Sequence, residues 1–93
     1  MKQSYLYILT NEYRTTFYIG VTSNIKNRVQ QHIDGIGSKF TSKYNIKHLV
    51  YFEEFTDVNL AILREKQLKN WHKEWKINLI KEKNPKLETL KLL

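Results

Sequence analysis

Two short runs, Tyr5-Leu6-Tyr7-Ile8-Leu9 and Phe17-Tyr18-Ile19-Gly20-Val21, restrict the fold of this chain more than any other feature. Both are rich in β-branched and aromatic residues and both alternate in character, which marks a strand. Residues 10–16 between them are polar and turn-like, so the pair predicts an antiparallel hairpin. Side chains alternate faces along a strand. Leu6 and Ile8 therefore share a face with Phe17, Ile19 and Val21, and this face is expected to be the core side. Tyr5 and Tyr7 fall on the other face, with Tyr18 and Gly20 opposite them. Two phenols on a rigid sheet, beside a glycine that lets another group approach the backbone, suit a site. They also suit packing, because tyrosine often fills half-buried strand positions.

Beyond the hairpin, Thr22-Ser23-Asn24 offers N-cap chemistry and predicts a helix from Ile25. Ile25, Val29, Ile33 and Ile36 form one apolar stripe, with Arg28 and His32 a turn apart on its flank. Asp34-Gly35-Ile36-Gly37-Ser38 ends this helix through glycine, which accepts the left-handed cap conformation. Residues 38–44 interleave hydroxyls, Lys39 and Lys43 with Phe40 and Tyr44. That mixture suits contacts to phosphates and bases, and equally an ordinary connection anchored by Phe40. A third strand is expected over 48–55, with Leu49, Tyr51 and Glu53 on one face and Val50, Phe52 and Glu54 on the other.

Thr56-Asp57 caps a second long helix, from Val58 to about Trp71, with Val58, Ala61, Ile62, Leu68 and then Trp71 or His72 as its stripe. Glu65 falls inside that stripe. An inward carboxylate costs free energy unless it is paired or holds a cation. Lys69, four residues on, supplies the ion-pair alternative, and exposed pairs of that kind contribute only ~0.3–0.5 kcal/mol. Trp75, Ile77, Leu79 and Ile80 predict a further helix that stops at Asn84-Pro85. Leu87, Leu90, Leu92 and Leu93 could cover the core or form a dimer contact, so monomer and weak homodimer both stay open.

With 93 residues the chain has room for a single domain, 1–93, and a modest core. It carries 16 Lys and Arg against 9 Asp and Glu, a net charge of +7, which favours nucleic acid as partner over an anionic membrane surface. No cysteine is present, which excludes disulfides, thiolate zinc sites and a cysteine nucleophile. The apolar run after Ser4 is too short for a signal-peptide core or a membrane span, so a cytoplasmic location is expected. No Gly-rich phosphate loop, zinc cluster or Ser-His-Asp set is visible.

The order Tyr-Leu-Tyr, Tyr-Ile-Gly-Val-Thr, Asn24-Ile25-x-x-Arg28, His32 and Ala61-Ile62-x-Arg64-Glu65-Lys66-x-Leu68-Lys69 resembles the GIY-YIG nuclease superfamily. It is most similar to the small single-domain bacterial proteins of that group, which have a tail like Trp71-x-x-x-Trp75-Lys76-x-x-Leu79-Ile80 followed by Asn84-Pro85. The resemblance spans roughly Ser4 to Leu90. It implies an α/β domain of the α+β type, with a small three-stranded antiparallel sheet flanked by helices, and metal-dependent phosphodiester cleavage. Matched position by position, it implies that Tyr7 and Tyr18 are the signature tyrosines, Gly20 the signature glycine, Arg28 the arginine of the first helix and Glu65 the metal-binding glutamate. His32 matches a position that holds His or Tyr in relatives. The chain departs from the pattern in having Tyr-Leu-Tyr where the name has Gly-Ile-Tyr. It also has Val21 where the excision-repair members have lysine, which removes one phosphate contact.

Phosphodiester hydrolysis needs an activated water, charge neutralisation at phosphorus and a stabilised leaving oxygen. On this basis Glu65 is expected to hold one Mg2+ or Mn2+, an ion that commonly keeps several waters. Arg28 would pair with the phosphate, and Gly20, Thr22, Lys39, Lys43 and Lys69 would line the substrate. Tyr7, Tyr18 or His32 would take the proton from water. A phenol titrates near 10 and needs a nearby cation for this role, whereas histidine needs less tuning; a tyrosine is preferred. The expected activity is an endonuclease on DNA, with RNA as an alternative substrate, structure-directed or nonspecific and of a kind used in repair or recombination. One alternative is a nucleic-acid-binding module that keeps the fold without cutting. Another is a metal-free interaction protein in which Glu65 is only a core ion pair.

Overall fold

The structure, a computed structural model, describes residues 3–92. In chain order its elements are β1 (Ser4–Thr10), β2 (Phe17–Thr22), α1 (Ile25–Ile33), α2 (Lys39–Lys43), β3 (His48–Phe55), α3 (Val58–Lys69) and α4 (Lys73–Lys83). The strands form one antiparallel sheet in the order β2-β1-β3, so the fold is α+β, as expected. The hairpin register sets Tyr7 opposite Gly20 and Ile8 opposite Ile19, which keeps the two faces as the alternation predicts.

Both faces are covered. Leu6, Ile8, Ile19, Val50, Tyr51, Leu68, Ile80 and Leu87 form one core, joining the sheet to α3 and α4. Tyr7, Leu9, Ile25, Ile46 and Leu49 form a second, on the tyrosine face, with Tyr5, Tyr18, Val29 and Phe52 packed against it. The expectation of a single core side is therefore corrected. The central strand β1 is buried at nearly every position, because a strand sandwiched between two helical layers exposes neither side.

The predicted faces of β3 fail at one point. An irregularity beside Ile8 and Leu9 leaves Val50 without a directly opposed partner, since Leu9 faces Leu49 and Ile8 faces Tyr51. An extra residue shifts the side-chain alternation by one. Val50 and Tyr51 thus enter the same core while Leu49 and Phe52 join the other.

Helix α1 starts where the cap predicts, with the Asn24 side chain accepting from the Asn27 amide. Its buried side is rotated from the predicted stripe: Ile25 and His32 are buried, whereas Ile33 is 42% exposed and Ile36 74% exposed. In α3, Ala61 and Leu68 are buried but Val58 is exposed at the first turn, so the inward stripe is narrower than predicted. Trp71 precedes α4, whose first residue is Lys73, and Trp75 is largely exposed.

After α4 the chain straps the free side of β3. Asn84, buried at the C-cap, donates from Nδ2 to the Val50 carbonyl (3.0 Å) and to the Glu88 carbonyl (2.8 Å). The Leu90 amide donates to the Leu49 carbonyl at 2.7 Å. Leu87 enters the core under α3 and α4, and Leu90 and Leu92 pack against the other, so these leucines cover the core. Leu93 lies outside the described residues. Arg14, in the hairpin loop with φ 57°, fixes the strap by donating to the Leu87 carbonyl (3.0 Å) and the Thr89 hydroxyl (3.1 Å). No helix among the described residues is long and apolar enough to cross a membrane.

Candidate active site

The hairpin puts the hydroxyl end of the Tyr7 ring over Gly20. A Cβ at position 20 would lie 2.4 Å from the Tyr7 hydroxyl, so only glycine leaves room for the phenol there. The glycine of the second run thus serves close approach, and what approaches is a tyrosine of the same sheet. Tyr7 is 1% exposed. Its hydroxyl meets His32 Nε2 at 3.0 Å and accepts from Arg28 Nε at 3.4 Å. Arg28 and His32 are brought to one atom by their spacing on α1, one turn apart.

His32 is fully buried, with its second nitrogen, Nδ1, 2.8 Å from Thr41 Oγ1. Burial first, and the Arg28 charge second, pull its pKa down to about 4, so it is neutral at physiological pH. Burial also pushes the Tyr7 pKa above the ordinary phenol value. The Arg28 hydrogen bond opposes that rise, while Tyr18 and the Glu65 carboxylate add to it. A neutral phenol that receives the Arg28 N–H has its own hydrogen to give, and His32 Nε2 is the acceptor present. The hydrogen bond to Tyr7 leads the causes that raise the Arg28 pKa, so the guanidinium stays charged.

The aromatic rings continue outward. Tyr18 lies 5.3 Å from the His32 ring and 6.3 Å from Tyr7 between centroids, and stacks on Phe40 of α2 at 6.2 Å. Sequence periodicity missed α2, because a five-residue helix shows too little of a repeat. It also missed two residues that border the candidate site. Thr41 and Gly37 both lie against His32 Nδ1, and a Cβ at position 37 would come within 2.3 Å of that atom. The available signal was the Ser38-x-x-Thr41 spacing, a cap pattern that turns Thr41 inward.

The remaining predicted site residues take these places. Glu65 is half-buried and ion-paired with Lys69 at 3.1 Å. Its neighbour Arg64 turns to Glu53 of β3 at 3.0 Å and is committed there. Thr22 shapes the turn into α1, with its hydroxyl accepting from the Asn24 amide at 3.1 Å. Lys39 and Lys43 are exposed along a groove with Gly35, Ile36, Ser38 and Ser42, and Lys43 also lies over the Tyr44 ring at 5.3 Å. No group of three or more His, Cys, Asp or Glu side chains that could hold a metal occurs among the described residues. Glu65 is thus a single carboxylate, a donor set that fits a hard, largely hydrated ion such as Mg2+ and does not fit zinc.

A sheet of this order, with tyrosines from adjacent strands meeting an arginine and a histidine from the helix that follows, defines a class of catalytic domain. The family model described as the GIY-YIG catalytic domain matches residues 3–78, and the chain belongs to that family. It is 37% identical to a UPF0213 protein of Pediococcus pentosaceus, over 82% of this chain and 80% of that one. It is 35% identical to a UPF0213 protein of Clostridium perfringens, over 91% and 90% of the two chains. The solution NMR structure of a UPF0213 protein from Bacillus halodurans superposes with a TM-score of 0.60 at 26% identity, covering 94% of this chain and 92% of that one. The resemblance carried by the short motifs is therefore borne out, and every candidate site residue lies within the matched span.

Proposed function

We propose that this protein is a divalent-metal-dependent endonuclease that hydrolyses phosphodiester bonds in nucleic acid, with DNA as the leading substrate. The observation that carries this reading is the convergence of Tyr7, Arg28 and His32 on one hydroxyl, with Tyr18 alongside. Arg28 keeps part of its guanidinium for Tyr7 and for Gln31 Oε1, at 3.0 Å, and offers the rest to a phosphate. Tyr7 takes the proton of the attacking water as its own passes to His32 Nε2. His32 Nε2 is already bonded to the Tyr7 hydroxyl, so it acts through Tyr7 and not on water directly. Glu65 would hold Mg2+ or Mn2+, and such an ion supplies charge neutralisation at phosphorus and acidifies bound water. Lys69 would then leave Glu65 and join Lys39 and Lys43 as a phosphate contact, with Gly20 and Thr22 bordering the reacting group. So small a domain has little surface for reading sequence, which favours structure-directed or nonspecific cutting, as in repair or recombination.

One observation favours a second reading, a binding module that does not cut: Glu65 already has a partner in Lys69. The two readings separate on labelled duplex, branched, flapped and single-stranded DNA and on RNA, with Mg2+ or Mn2+, comparing wild type with Glu65→Gln. The nuclease reading expects cleavage by wild type and a fall of roughly 100-fold or more in the variant, the scale for losing a group that stabilises transition-state charge. Binding should be retained in the variant. Binding by both proteins with cleavage by neither moves the binding module ahead, and equal cleavage by both removes Glu65 from the site.

A further inference from the structure

We propose that Thr41 is a positioning residue that fixes the His32 proton on Nδ1 and so keeps Nε2 as the acceptor for the Tyr7 hydroxyl. Its bearing on catalysis rests on the nuclease reading, but the tautomer itself does not.

Thr41 is completely buried in a helix whose neighbouring residues Phe40, Ser42 and Lys43 are all exposed. A buried hydroxyl has to be bonded, and this one is held on several sides. Its oxygen lies 2.8 Å from His32 Nδ1, 2.9 Å from Ser38 Oγ and 3.3 Å from the Ser38 carbonyl. Ser38 in turn caps α2 by accepting from the Thr41 amide at 3.1 Å. Gly37 has no Cβ to block this approach. Thr41 Oγ1 donates to the Ser38 carbonyl, which also accepts from the Ser42 amide at 3.1 Å, and the Thr41 oxygen is then open to receive the proton on Nδ1.

The tautomer follows from the other end as well. Arg28 donates to the Tyr7 oxygen. With the proton on Nε2, a second donor would be aimed at that same oxygen and the phenol hydrogen would have no acceptor among the contacts of Tyr7. With the proton on Nδ1, one direction runs through the whole chain: Arg28 to Tyr7, Tyr7 to His32, His32 to Thr41, Thr41 to Ser38. Each donor then has an acceptor. The short helix α2 thereby decides which way the Tyr7 proton can leave.

The test reads the His32 ring nitrogens by 15N NMR in the full chain at neutral pH. Wild type should show Nδ1 protonated and Nε2 bare. Thr41→Val keeps the branched shape and removes the acceptor, so the Nδ1 proton loses its partner and a measurable fraction of the ring should shift to the Nε2 form against the pull of Tyr7, while Thr41→Ser should keep the wild-type pattern. A proton on Nε2 in wild type overturns the proposal even if the valine variant does not fold, and so does a valine variant with an unchanged tautomer. In cleavage assays, Thr41→Val should lower kcat about tenfold to a hundredfold with little change in KM, the scale known for losing the outer partner of a metal-bound histidine and carried over here to one that acts on a phenol; Thr41→Ser should restore it. A shifted tautomer with unchanged kcat overturns the catalytic role. A shifted tautomer with no cleavage by wild type counts against the nuclease reading and leaves the positioning of His32 standing.

Discussion

A histidine with both ring nitrogens bonded and no surface of its own resists protonation, and His32 carries a pH dependence for the whole domain. Its pKa falls from 6.5 to about 4 on folding. The folded state prefers the neutral ring, so unfolding takes up a proton at any pH between those values. The sign is therefore fixed: this contribution to stability is fully present above about 6.5, declines as the pH falls, and is spent below about 4. At one pKa unit per 1.36 kcal/mol its size is roughly 3 kcal/mol. Urea unfolding between pH 7 and 4 should show a decline of that order, and His32→Gln should flatten much of it. An equally steep acid limb in the variant would place the effect on other groups. The sequence set Arg28 and His32 one turn apart, which is right, but put His32 on the flank of the helix. Ile33 and Ile36 weigh heavily in any hydrophobic count, whereas the pull on His32 comes from Tyr7 and Thr41, polar partners that a hydrophobic pattern does not register. Gly37 was legible only as a helix stop for the same reason.

Among the elements, the hairpin, β3, α1, α3 and α4 were all readable: the hairpin from its alternation, α1 and α3 from a cap with a stripe behind it, β3 from a short apolar run and α4 from its apolar residues before Asn84-Pro85. What escaped was anything set by distant partners. Asn84-Pro85 reads as a stop signal, yet the Asn84 side chain bonds the Val50 carbonyl and the strap at Glu88. The irregularity at Val50 has no local signature either, and shows only in pairing with β1. Asn84→Ala leaves the buried Val50 carbonyl without that donor and should cost about 1–3 kcal/mol. Lys86→Ala, on the exposed side of the same segment, should stay within about 0.5 kcal/mol. Denaturant midpoints of the two variants check this, and equal shifts would mean that the strap is held mainly by its leucines.

At the scale of the molecule, the three-stranded sheet flanked by helices was implied by the family resemblance, while the alternation in the hairpin placed the core on one face only, because tyrosines on the other face look like site or solvent residues. Both descriptions apply to Tyr7, which belongs to a core and stands at the centre of the candidate site at once. The basic excess, with 16 Lys and Arg against 9 acidic residues, has a direct readout in binding. If Arg28, Lys39, Lys43 and Lys69 each neutralise one phosphate, log K against log salt should fall with a slope of about −3.6 on duplex DNA, and Lys39→Ala with Lys43→Ala should reduce it by nearly half. A slope near zero would point to recognition without phosphate. The strap has a different consequence for the sheet. An open sheet ordinarily has two edges at which a foreign strand can add, and two such edges allow addition to repeat without end. Here the Leu49 and Val50 carbonyls are already taken by Leu90 and Asn84. The strap thus closes the start of β3 to such addition and leaves β2 as the more open edge, where a second copy pairing edge to edge would end the growth on that side.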